Sequence, residues 1–221
     1  MAPDKLRPGS AAAAVLWKVE KNKVNDWTQA LNSYNQCIGL LSKSLSKAQS
    51  NLSKQSFADD DKWKETELPN IIQKQKHMTL KQLERLMIWK LRRGVFRPTL
   101  MGLIRRNENK SVVELTEAGF KAAHLNVEEG IDVLCQLKGV GPATASAILS
   151  VYLPTEVPFM SDEAMDAVLG LPRLYTKAQF IQYQKALKNK YEKLGSTWSP
   201  ATIEKTLWCA AMLSKFKDIS E

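Results

Sequence analysis

Apolar residues recur at spacings of three and four along most of this chain. Between positions 24 and 45, Val24, Trp27, Leu31, Tyr34, Ile38, Leu41 and Leu45 fall on one stripe. That period predicts one long helix. The stripe covers only about three heptads and carries aromatics, which suits packing on a globular body better than a dimer seam. Thr79-Leu80-Lys81-Gln82 is a capping-box pattern opening a second helix. It turns Leu83, Leu86, Met87, Ile88 and Leu91 inward and Lys81, Arg85, Lys90, Arg92 and Arg93 outward, and Gly94 ends it. Helices are expected over 99–105 and 110–123, from Asn126 or Val127 into a glycine turn, and over 162–169, 176–194 and from Ser199-Pro200 onward. No alternating strand pattern, hairpin-forming Asn-Gly or Asp-Gly pair, or internal repeat is present. The expected fold class is all-α.

Between these stripes the chain is polar. Residues 46–62 are rich in Ser, Lys, Gln and Asp and include the run Asp59-Asp60-Asp61. The expected organisation is a flexible start over 1–22, a long helix plus polar linker over 23–62, and a helical domain over 63–221.

Composition narrows the partner. The 221 residues are 44% hydrophobic, enough for a substantial core, and carry 32 Lys and Arg against 23 Asp and Glu, a net charge of +9. That excess favours a polyanionic partner and says nothing of the fold. The basic series Lys81, Arg85, Lys90, Arg92, Arg93, Arg97, Arg105 and Arg106 is one-sided, and each cation placed on a phosphate adds salt-sensitive affinity. A solvated helix face is the plainer reading of the same charges. Cys37, Cys135 and Cys209 lie far apart and form no CxxC pair, so neither a disulfide framework nor a zinc site is read from them. No apolar run approaches a bilayer span, and the first 14 residues lack a secretory signal's apolar stretch. An intracellular, reducing location is expected. His77 and His124 have no partner at metal-ligand spacing.

The most constrained stretch is Leu137-Lys138-Gly139-Val140-Gly141-Pro142-Ala143-Thr144-Ala145. Two glycines allow positive φ and close backbone approach, Val140 plugs the turn, and Pro142 stands where a helix begins. Small residues thin the helix that follows. Backbone N–H groups of Gly141, Ala143 and Thr144, with Lys138 beside them, would face a phosphate. An αα-turn without a ligand is the alternative. Gly139-Val140-Gly141 with Ala145, then 147–153, Val157-Pro158 and Asp162, resembles the helix-hairpin-helix DNA glycosylase superfamily, specifically over 127–170.

The resemblance implies DNA, in duplex form, as partner, a monomer, a nuclear location, and no cofactor beyond a monovalent cation held by the turn carbonyls. It implies that Asp162 stabilises an oxocarbenium-like sugar or activates water beside a flipped nucleotide. An ordinary N-cap is the plainer role for the same residue. Ala143 stands 19 residues before Asp162, where bifunctional members carry a nucleophilic lysine. Schiff-base lyase chemistry at that position is therefore not expected. The iron–sulfur cysteines are absent too, and Pro158 is further from the aspartate than usual. Two functions remain: a monofunctional base-excision glycosylase using Asp162, or a non-catalytic DNA-binding or protein-interaction module on the same fold.

Overall fold

The computed structural model describes residues 5–19 and 24–217, whose regular structure is helical, with no strand among them. The helices are α1 (Ser10–Lys18), α2 (Val24–Asn32), α3 (Tyr34–Ser44), α4 (Lys47–Ser50), α5 (Phe57–Lys62), α6 (Leu68–Gln75), α7 (Leu80–Arg93), α8 (Pro98–Ile104), α9 (Asn109–Leu125), α10 (Val127–Leu134), α11 (Pro142–Tyr152), α12 (Asp162–Val168), α13 (Lys177–Leu194) and α14 (Pro200–Lys217). A π-helical turn, Trp63–Glu67, joins α5 to α6.

The expected long helix over 24–45 is two helices. Ser33 N–H bonds to the Ala30 carbonyl, one residue short of the α-helical partner, and Ser33 Oγ donates to the Gln29 carbonyl. This local competition breaks the ladder. The stripe still works: Trp27, Ile38 and Leu41 are buried, with Leu31, Tyr34 and Leu45 packed at the margin.

The linker expected over 46–62 is folded. Ser46 and Ser56 each open a helix with a complete capping box. Asp60 and Asp61 are buried. Asp60 takes Arg92 and Arg85, while Asp61 accepts the Trp89 indole N–H and the Tyr34 hydroxyl. Nor is residue 63 a boundary, because α5, the π turn and α6 run on without interruption. Pro69, at the start of α6, has no N–H to continue a regular ladder, and Leu68 N–H reaches back to the Trp63 carbonyl instead.

Within the expected flexible start, residues 10–18 are α1, packed on α12 and α14. Gly9 has φ +81°, and a Cβ there would lie 1.9 Å from the Ala211 carbonyl oxygen. Only glycine lets the segment lie this close to α14. Positions 1–4 and 20–22 of that start, and the Val24 side chain of the stripe, lie outside what is described.

α14 is the central strut. Ile203, Leu207, Trp208, Ala211 and Met212 are buried, and α1, α2, α3, α12 and α13 pack around it. α9 and α10 form the tightest helix pair and carry α11 on the far side of the glycine turn. Among the described residues no helix is long and apolar enough to cross a membrane.

Candidate functional site

The turn between α10 and α11 is built by its neighbours. Val140 is buried as its plug, and Val140 N–H closes on the Leu137 carbonyl. Asn107, just past α8, clamps the turn from outside. Its Oδ1 accepts Lys138 N–H and its Nδ2 donates to the Lys138 carbonyl, each at 2.9 Å. Sequence reasoning missed Asn107, since an isolated asparagine after a helix carries no signal of a partner 31 residues on. Gly139 has φ +80°, and a Cβ there would stand 2.9 Å from Leu103 Cβ and 3.2 Å from the Ile104 nitrogen. Gly141 differs from the expectation. Its backbone is extended (φ −109°, ψ −177°) and its Cβ position is open space.

Gly139, Gly141 and Ala143 N–H groups have no hydrogen-bond partner among the described residues. Thr144 N–H is not available as expected, because it bonds to the Gly141 carbonyl at 2.9 Å. The Leu137 and Lys138 carbonyls each accept one hydrogen bond and keep a second lone pair.

The basic residues divide. Arg92 and Arg93, expected outside, are buried. Arg92 donates to four backbone carbonyls, Gln49, Ser50, Ser53 and Gln55, as well as to Asp60. Arg93 bonds Glu204 at 2.9 Å and lies over Trp208 and Phe159. At the end of α7 both arginines turn toward α4 and α14, where carboxylates and carbonyls meet them. Arg97, Arg105, Arg106 and Lys138 are exposed near the turn. Trp89 is buried against Phe159.

Asp162 is the first residue of α12. The N-cap is Ser161, whose hydroxyl instead donates to Glu204 at 2.5 Å. Asp162 therefore caps nothing. Its Oδ2 accepts Arg7 Nε at 3.0 Å and Nη2 at 2.8 Å, and its Oδ1 accepts the Tyr175 hydroxyl at 2.9 Å. Tyr175 has φ +51°, a conformation disfavoured for a non-glycine residue, and Arg97 lies 4.9 Å over its ring. Burial, then the Asp162 charge, pushes the Tyr175 hydroxyl pKa up, so it stays a donor. Neither Arg7 nor Tyr175 was legible as a site residue, because each reaches Asp162 only through tertiary contact.

Asp162, Tyr175, Arg97, Lys90, Gly139 and Gly141 line one pocket of about 180 Å³, with Ala143, Thr144 and Phe159 also on its wall. A cavity of about 150 Å³ is enough for a benzene ring. The pocket thus joins turn, carboxylate and a space of aromatic-ring size. It is bounded behind by Glu163, which is buried with its carboxyl pKa raised to about 7 by desolvation and by the Asp162 charge. Comparison with protein-family models, curated proteins and solved structures finds no match.

Proposed function

We propose that this chain is a DNA-binding protein of helix-hairpin-helix type, whose pocket seats an extruded nucleotide for hydrolysis of the N-glycosidic bond. One observation carries the reading: the Asp162 carboxylate and the unpartnered N–H groups of the glycine turn border the same ring-sized pocket. Gly141 and Ala143 N–H, at the start of the eleven-residue α11, would meet a backbone phosphate, with Lys138 and Arg97 adding charge. Such contacts position a duplex without reading its sequence. In the pocket a carboxylate would offset the positive charge that grows on the sugar as the base departs. Tyr175 and Arg7 would hold that carboxylate in place. An intracellular, nuclear setting accords with this reading.

The Arg7 pair supports a second reading. It sets a cation directly on Asp162, which leaves less negative charge to offer a sugar cation. A non-catalytic DNA-binding module would have the same turn and the same pair.

The deciding experiment is a panel of duplexes carrying uracil, alkylated or oxidised bases and mismatches, treated with alkali after incubation to reveal abasic sites. Excision from one member should fall by at least about 10²-fold in Asp162→Asn, the scale of losing one preorganised electrostatic group. Asparagine keeps the oxygen that accepts the Tyr175 hydroxyl, so folding and DNA affinity should persist. Tight binding with no base released from any member favours the non-catalytic module.

A further inference from the structure

Residues 5–9 lie against α12 and carry Arg7 to the Asp162 carboxylate. Polar contacts hold them there. Asp166 Oδ2 accepts Arg7 N–H at 2.7 Å and the Ser10 hydroxyl at 3.0 Å, and Arg173 Nη2 donates to the Lys5 carbonyl at 2.7 Å. No apolar side chain anchors the segment, since Leu6 is 51% exposed and Pro8 is exposed too. The next turn is different. α1 buries Ala13 and Leu16, and Gly9 is pressed against the Ala211 backbone. A segment with few buried apolar contacts opens at lower cost than the packed helix it precedes. Gly9 marks the point where the two meet.

Arg7 is placed to change partners. Its side chain is 31% exposed, against 11% for Asp162. Nε and Nη2 both serve Asp162 Oδ2, while Nη1 has no hydrogen bond among the described residues. The guanidinium can therefore take a phosphate oxygen before it leaves the carboxylate. Part-exposed ion pairs are weak because water competes for both partners. Nor would the departure strand a buried charge, which is the usual cost of breaking a pair. Asp162 keeps the Tyr175 hydroxyl, and Asp166 keeps Arg173.

We infer that residues 5–9 form a strap poised to lift, released when a phosphate group at the pocket takes Arg7 from Asp162. On the DNA-binding reading, on which this source rests, the phosphate belongs to the duplex backbone; a free phosphate has the same chemistry. Arg97 and the open Gly141 and Ala143 N–H groups on the same pocket wall would draw the group in. With the strap down, Arg7 neutralises Asp162. With the strap up, the carboxylate regains its charge while Tyr175 keeps it in position. The counter-ion is then present only until a phosphate arrives, and the loaded pocket carries the bare carboxylate that a sugar cation needs.

The test follows amide hydrogen exchange in the full chain, residue by residue. Two probes are used at constant ionic strength, an unmodified duplex and inorganic pyrophosphate. Arg7 N–H should exchange at least about fivefold faster at saturation with either probe, the upper range for breaking a part-exposed ion pair. Leu16 N–H in α1 should not change, which separates lifting of the strap from unfolding of the helix. In Arg7→Gln the amide at position 7 should exchange faster by the same factor without any probe. The slope of log duplex affinity against log salt should be smaller by about one in that variant. Duplex binding that leaves or slows Arg7 exchange, or an unchanged salt slope in a folded Arg7→Gln protein, overturns the inference and leaves the DNA reading standing. Faster exchange with pyrophosphate in a protein that binds no duplex upholds the strap and removes the DNA reading. Exchange unmoved by both probes overturns the inference and makes residues 5–9 a fixed part of the fold.

Discussion

Arg92 Nη1 meets Asp60 Oδ2 at 2.8 Å, and neither side chain is more than 2% exposed. The pair ties α7 to α5, and the remaining Arg92 donors hold the backbone of 49–55. Arg92→Ala should lower stability by about 3 kcal/mol, the low end for breaking a buried pair, because Arg85 remains on Asp60. The check is a lower urea midpoint at unchanged m. One of the arginines expected from the sequence to meet DNA would then be structural.

The two glycines of the turn should separate. Gly139→Ala places a Cβ at positive φ and against Leu103 and Ile104, and should cost about 1–3 kcal/mol together with DNA affinity. Gly141→Ala meets no atom and an ordinary backbone, so its stability should stay within about 0.5 kcal/mol of wild type. A loss of DNA affinity in Gly141→Ala alone would place a phosphate against that Cα. Thermal unfolding and fluorescence anisotropy on both variants read this directly.

Salt dependence distinguishes contact from scaffold. Lys138→Ala and Arg97→Ala should each reduce the slope of log affinity against log salt by about one. Arg85→Ala should leave the slope alone, since Arg85 is committed to Asp60 and lies 4.4 Å over Trp63.

Stability should also depend on pH through Glu163. Its folded pKa, about 7, lies above the ordinary 4.5. The folded state therefore binds the proton more tightly, and its contribution is fully present below about 4.5 and lost as pH rises through 7. The loss is on the order of 3 kcal/mol at most, with Arg93 and Arg7 facing the group from α7 and the amino-terminal segment. Urea unfolding at pH 5 and pH 8 should show the decline, and Glu163→Gln should flatten it.

The helices were legible where burial depends on local period. Leu83, Leu86, Met87 and Leu91 are buried as their spacing predicts, and Thr79 caps α7 with Gln82. Polar residues were not legible in the same way. Asp60 and Asp61 read as a solvated run because their burial depends on Arg92, Arg85, Trp89 and Tyr34, all brought in by tertiary packing. The same holds for Arg92 and Arg93, since a helical wheel assigns a charge to the outer face unless another element covers it. In the pocket, the sequence pointed to Asp162 and the glycine turn. It gave no sign of Arg7 or Tyr175 at the carboxylate, and it put Lys90 on a basic outer face.

Every residue on the pocket wall lies at position 90 or beyond, yet the cation on its carboxylate comes from Arg7. Asp166 holds that end of the chain by accepting Arg7 N–H and the Ser10 hydroxyl, with Arg173 bridging to the Lys5 carbonyl. A fragment starting at 63 would lose that counter-ion together with α1, which packs on the helix carrying Asp162. Amino-terminal tags, truncations and fusions would thus reach the chemistry of this cleft, and samples that differ only in how that end was made should not be treated as one protein.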